Sequence, residues 1–240
     1  MNSLISRSLL LLGLITVVTS GCRLNCIKGE GAAEQRTLDV ASFTGITVDG
    51  PIRVTLEKGP AQMITATGQP NLLDLLNTSV SGETWRITTS RCWSSKEEIA
   101  VHIFTPTEIR AIELNGSSDV ASADVFGRGD VELATRGSGS ITVDAINAGK
   151  LSTRITGSGS ITIQGTCATL DAGITGSGDL HGRGLTANDA TLDITGSGSA
   201  SIIAISKLKA NVTGSGDVRY GGRPMLESKI TGSGSVAPLP

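Results

Sequence analysis

Few side chains in this sequence of 240 residues have the types and spacing to do chemistry. Asp119, Asp179 and Asp217 each stand three residues after a glycine that opens a Gly-Ser-Gly or related triplet, where other copies carry serine. Two carboxylates across a sugar cleave glycosidic bonds, one as acid and the other as base or nucleophile. Asp179 and Asp217 are two repeats apart, roughly 10 Å at strand spacing and near the upper limit for an inverting pair. Their setting argues against that role. Both positions read as solvated, Tyr220 has the opposite parity, and no apolar pocket is evident that would raise one carboxyl pKa. A second pattern is hydroxylic. Thr156, Thr175, Thr195, Thr213 and Thr231 precede the first glycine of successive triplets, and Ser138, Ser158, Ser177, Ser197, Ser215 and Ser233 follow it. If the repeats stack, these form two hydroxyl rows on one outer face, a surface for a glycan or a protein. The structural alternative is that these small polar residues tolerate the bend, bond to neighbouring backbone and stack on their own kind. His102 and His181 sit at outward positions of strand-like segments and read as ordinary surface residues. The glycine-rich triplets lack the following helix and the lysine of a phosphate loop, so no nucleotide site is read. The serines recur as a structural unit, and none has a histidine and acid partner by motif.

The cysteines divide into two kinds. Leu9 to Val18 is an apolar run of about ten residues, the length of a signal-peptide core and about half of a membrane span. It leads through Val18-Thr19-Ser20-Gly21 into Cys22, which resembles the bacterial lipobox, with Thr19 where leucine is usual. The resemblance implies cleavage before Cys22 and lipidation of its sulfur. Arg23 follows instead of an acidic residue, which points to the outer membrane. Of the other three, Cys26 and Cys92 are expected to form a disulfide in an oxidising envelope, with Cys167 packing inside the repeats as a small apolar residue. Neither histidine has a zinc-ligand spacing to them, so no metal site is read, and no cofactor.

These residues must be positioned by the repeat. Triplets begin at Gly137, Gly157, Gly176, Gly196, Gly214 and Gly232, after a degenerate Gly116-Ser117-Ser118, at intervals of 21, 20, 19, 20, 18 and 18. A period near 20 suits one coil of a β-solenoid. Apolar residues alternate with period two around each bend: Ile155, Ile174, Ile194, Val212 and Ile230 two before the glycine, Leu151, Leu170, Ala190, Leu208 and Leu226 six before, and Ile161, Leu180, Ala200 and Val218 four after. Each coil therefore reads as strand, bend, strand and variable loop, with the apolar set facing the core. The terminal prolines Pro238 and Pro240 lack strand donors and are expected to cap the last coil. Glycine is abundant at 31 residues and aromatics are scarce, which fits many tight bends around a core of small side chains. A formal charge of −2 gives no reason to expect a nucleic-acid partner.

Before the repeats, Leu38 to Leu114 carries β patterning without the triplets. Ile46 and Val48, Ile52 to Leu56, Met63 to Ala66, Thr84 to Thr88 and Ile99 to Ile103 read as strands, and Pro70 to Leu76 as a short helix or turn. Trp85 shares parity with Ile87 and is assigned to the core, while Trp93 is expected to pack over the disulfide. Val48-Asp49-Gly50-Pro51-Ile52 looks like a divergent bend. The expected organisation is a signal peptide at 1–21, a linker at 22–37, solenoid with longer coils at 38–114 and the triplet solenoid at 115–240.

Phe43 to Gly50 with Val54-Thr55-Leu56, the Leu114 to Asp119 step and the serial Thr-Gly-Ser-Gly coils resemble the bacterial auto-transporter adhesin head GIN domain family over about residues 39 to 235. That resemblance implies an all-β, right-handed parallel β-helix, and members that are often envelope lipoproteins. It carries no functional residue beyond the lipid cysteine. The resulting expectation is a non-enzymatic lipoprotein of the cell envelope, held to the membrane by its anchor and binding an envelope protein or a polysaccharide. The alternative is a carbohydrate-active β-helix enzyme that uses the outward carboxylates.

Overall fold

A computed structural model describes residues 26–124 and 126–240, and about 2% of it is helical. The leading elements are β1 (Ile27–Lys28), β2 (Glu34–Leu38), β3 (Gly45–Asp49), β4 (Ile52–Lys58), β5 (Met63–Gly68), the one-turn α1 (Pro70–Leu73), β6 (Val80–Ser81), β7 (Thr84–Ile87), β8 (Trp93–Ser94) and β9 (Ile99–Thr105). The stack continues with β10 (Ala111–Gly116), β11 (Asp119–Ala123), β12 (Asp130–Gly137), β13 (Ser140–Gly157), β14 (Ser160–Gly176), β15 (Asp179–Gly196), β16 (Ser199–Gly214), β17 (Asp217–Gly221), β18 (Met225–Gly232) and β19 (Ser235–Pro238). Parallel strands stack into a β-solenoid of about 6 turns, about 20 residues apart.

The alternation read from the sequence puts one residue in two into the interior. Leu151, Leu170, Ala190 and Leu208 form one buried column, and Ile155, Ile174, Ile194 and Val212 another, each in register with its counterpart in the next coil. Burying each large aliphatic side chain contributes about 1.5–3 kcal/mol. The backbone polar groups of each coil are satisfied by the coils on either side, so the core needs no polar atoms of its own.

The variable loop expected after the second strand is a third strand-like side. Unbroken strands of 16 to 18 residues in β13, β15 and β16 arise because the chain bends without leaving the ladder. Differences in repeat length are absorbed on this side alone. Register shifts fall between Val143 and Ile146, between Thr162 and Gln164, and on both sides of Thr186 and Ala187, while the strand before the bend stays in register from coil to coil. Bulges take up the extra residues between the aligned positions, so that Ala148, Cys167, Ala187 and Ala204 still stand over one another.

Residues 45–105 belong to the same ladder, but their order in space is not their order in sequence. The coil made by β3 and β4 pairs on one side with β10 and β11, and on the other with β7 and β9. The chain therefore builds the second position, crosses outward to build the end coil, and returns to build the third. The excursion carries β5 and β6, which pair antiparallel with β9 and β7, and β2, from before β3, pairs antiparallel with β5; together they close the end. Pro70 sits at the start of α1, where its missing N–H costs nothing, and Leu72 and Leu73 are buried. Trp85 is fully buried, packs on Phe43 at a centroid distance of 5.6 Å and donates its indole N–H to the Asn77 carbonyl at 2.9 Å. Cys26 is bonded to Cys92, with Cα atoms 4.8 Å apart, and β1 pairs with β8 beside it.

The opposite end differs from expectation. Leu226 and Ile230 occupy the inward columns but remain 40% and 43% exposed, and Met225 is 76% exposed. Pro238 lies on β19, on the side after the bend, so it does nothing for the free edge of β18.

Candidate functional site

The bend sets the geometry of every candidate residue. At Gly176 the backbone has φ 117°, and a Cβ there would lie 2.5 Å from the Gly157 carbonyl oxygen of the preceding coil. At Gly178 the backbone is not left-handed, but a Cβ would lie 2.4 Å from the Gly159 oxygen and 2.5 Å from Ile155 Cγ2. One glycine is needed for conformation and close approach, the other for close approach alone. Between them the serine N–H donates to the preceding coil: Ser177 to Gly157 O at 2.8 Å, Ser197 to Gly176 O at 2.8 Å and Ser215 to Gly196 O at 2.8 Å. The bend thus remains part of the ladder.

That pairing frees the hydroxyls. Thr156, Thr175, Thr195, Thr213 and Thr231 stand in register as one column, and all are exposed. Ser158, Ser177, Ser197 and Ser215 run beside them and are also exposed. Among the described residues, none of these hydroxyls has a hydrogen-bond partner within the protein. Bonding to neighbouring backbone is not found among the described residues, where the adjacent coil already satisfies that backbone, while each threonine stacks on its counterpart in the next coil. The result is two parallel rows of hydroxyls along one edge, repeating at about 4.8 Å.

The aspartates are arranged differently. Asp119, Ser140, Ser160, Asp179, Ser199, Asp217 and Ser235 form a single column on the side after the bend. Each aspartate is engaged by the next coil: Asp119 accepts from the Ser140 hydroxyl, Asp179 from the Ser199 N–H at 2.9 Å and Asp217 from the Ser235 hydroxyl. Ser199 stands between Asp179 and Asp217, so the two carboxylates line up along the stack and do not face each other across a cleft. Their role in this geometry is to tie coils together.

The remaining candidates have ordinary surroundings. His102 is half-exposed, with Nε2 3.1 Å from Glu57 Oε1 and its ring 4.4 Å from that of Phe104. His181 is exposed. Cys167 occupies the inward column of Ala148, Ala187 and Ala204, and burial pushes its thiol pKa up to about 11, which keeps it a protonated, unreactive side chain.

Two features were not foreseen from the sequence. The first is a half-open cleft of about 330 Å³ at the closed end, lined by Trp93, Pro51, Arg53, Glu98, Ser117 and Asp119. Trp93 packs against the core and presents part of its surface here, and Arg53 pairs with Glu98 at 3.0 Å. No local signal marks it, since the lining comes from three coils. The second is a set of ion pairs and one amide–carboxylate bond on the face before the bend. Arg154 reaches over Gly173, which has no side chain to obstruct it, and forms a two-pronged contact with Asp171 at 3.1 and 3.3 Å. Arg136 pairs with Glu113, and Asn211 donates to Asp193 at 2.7 Å. Aligning the repeats would have found these pairs, whose members are 17 to 23 residues apart. They leave that face largely charge-balanced.

A family described as "Putative auto-transporter adhesin, head GIN domain" matches residues 42–224. The chain belongs to this family. Solved structures share its fold. A putative adhesin from Bacteroides fragilis superposes with a TM-score of 0.80 at 19% identity, over 89% of this chain and 100% of the other. A putative adhesin from Parabacteroides distasonis has a TM-score of 0.69 at 26% identity, over 89% and 99%. A putative lipid binding protein from the same species has a TM-score of 0.71 at 24% identity, over 89% and 99%. No protein of curated function matches. The family is adhesin-like and of the cell envelope. No helix among the described residues is long and apolar enough to cross a membrane.

Proposed function

We infer that the protein is a non-enzymatic binding module, lipid-anchored at Cys22 to the outer membrane, that holds a polysaccharide or another envelope protein on its hydroxyl-bearing edge. The observation that carries this reading is the exposed column of Thr156, Thr175, Thr195 and Thr213, in register and, among the described residues, without hydrogen-bond partners. Regularly spaced hydroxyls that the fold does not use are available to an extended partner, whose repeating groups each meet a donor and an acceptor. The adhesin-like family supports binding in general. Cys22 lies outside the described residues, and its lipidation rests on the sequence motif. Engagement of Asp179 and Asp217 by neighbouring coils favours the binding reading over the glycosidase one.

The test is binding of the detergent-solubilised full chain to an array of envelope polysaccharides and to immobilised envelope extract. Thr175→Lys with Thr195→Lys, both at exposed positions, is expected to lower binding about tenfold or more, equivalent to about 1.4 kcal/mol, without moving the unfolding midpoint. Undiminished binding would remove this edge from consideration. Glycan turnover that Asp179→Ala with Asp217→Ala abolishes would replace the reading with the enzymatic one. Anchoring is checked separately: Cys22→Ser is expected to leave the membrane fraction, and full retention there would exclude the lipid as its tether.

A further inference from the structure

The free edge of the solenoid carries a sequence that is complementary to itself. β18 pairs with β16 along one side, and among the described residues no strand pairs with its other side. Leu226, Ser228 and Ile230 point inward, above Leu208, Ala210 and Val212, while Glu227, Lys229 and Thr231 point outward. Antiparallel pairing of this strand with its own copy keeps inward residues inward only when the two-fold axis falls on a residue, because a one-residue slip turns every side chain over. With the axis at Ser228, Leu226 of each copy meets Ile230 of the other, and Glu227 meets Lys229, twice over by symmetry. An axis one residue earlier sets Glu227 against Glu227, and one residue later sets Lys229 against Lys229. Only the Ser228 register joins opposite charges outside and apolar residues inside.

We propose that β18 pairs antiparallel with β18 of a second copy about a two-fold axis at Ser228, giving a tail-to-tail homodimer. The pairing covers nearly the whole strand, Met225 to Thr231, and continues both inward columns across the junction: Leu208, Leu226, then Ile230 and Val212 of the other copy. Outside, Lys209 lies 3.9 Å from Glu227 within one copy, so the charges along that line alternate through the interface. The exposed edge and the exposed Leu226 and Ile230 are thereby accounted for together. Cys26, the first described residue, lies at the closed end, so the closed ends of the two copies point away from each other.

The oligomeric state of the detergent-solubilised full chain is measured by light scattering corrected for bound detergent. A concentration-dependent dimer is expected. Ser228→Cys is expected to cross-link it under mild oxidation, since directly opposed antiparallel residues lie within disulfide reach, whereas Ser215→Cys, one coil back, does not. Lys229→Glu is expected to weaken the dimer about tenfold or more, and Glu227→Lys with Lys229→Glu to restore it. A monomer at every concentration overturns the proposal. So does a dimer in which Ser228→Cys stays unlinked, or one that Lys229→Glu leaves unchanged with the fold intact.

Discussion

Between Gly45 and Thr105 the solenoid is closed by large side chains and antiparallel strands, whereas from Gly137 onward one bend is used again and again around small ones. The first region packs Trp85, Phe43, Leu72 and Leu73 into its end and adds the Cys26–Cys92 bond. In the second, Ala172, Ala190, Ala200 and Ala210 fill positions between leucines and isoleucines, and no aromatic residue is buried among β13 to β16. A coil inside the stack has two neighbours to satisfy its backbone and cover its side chains. A coil at the end has one, so the missing neighbour must be replaced by something irregular. The closed end has such a replacement in β5, β2, β6 and α1. The β18 end has none within the described residues.

The sharpest way to break this comparison is to make one substitution at equivalent glycines. Gly176→Ala strains a positive φ and drives a Cβ to 2.5 Å from a backbone oxygen, so a loss of about 3–5 kcal/mol is expected. Gly50→Ala meets the same kind of backbone, φ 95°, but no atom within 4 Å, and about 1–2 kcal/mol is expected from strain alone. Denaturant unfolding of both variants measures the difference. Equal losses would mean that conformation, and not coil-to-coil approach, is what the repeat glycines supply.

Next in size is the disulfide. Cys26→Ser with Cys92→Ser opens a link across 66 residues and is expected to cost about 2–4 kcal/mol, read as a lower thermal midpoint that reductant no longer shifts. Hydrogen exchange should place the loosening in residues 27 to 105 and leave the amides of β13 to β16 protected. Uniform loosening would show that the two regions unfold as one.

The smallest effect lies at the junction between them. Ser122 faces the core between Leu56 and Val143, and among the described residues its hydroxyl has no partner. Ser122→Val is expected to raise stability by about 1 kcal/mol in the same unfolding measurement, because a buried hydroxyl without a hydrogen bond is replaced by an apolar group. A destabilised variant would mean that the site has no room for the extra methyl.

Much of the repeat was legible because its constraints are local. Ile155, Leu170 and Val212 announce their inward direction by parity, and the bend announces itself by two glycines at fixed spacing. The free hydroxyls of Thr175 and Thr195 were legible as a row, but not as unbonded, since that depends on whether Ser177 and Ser197 find carbonyls in another coil. The Trp93 cleft was not legible at all, because residues near 52, 95 and 118 meet only once the coils are stacked.

The sequence alone determined that the chain stacks as a solenoid, what faces its interior and where it bends, since period-two alternation and the steric needs of glycine act within a few residues. The tertiary structure alone decided the spatial order of the first coils, the third side that absorbs unequal repeat lengths, the use of Asp179 and Asp217 as ties and the bare edge of β18. Each of those depends on which strand lies next to which, and hydrogen bonds between neighbours some 20 or more residues apart leave no local pattern to read.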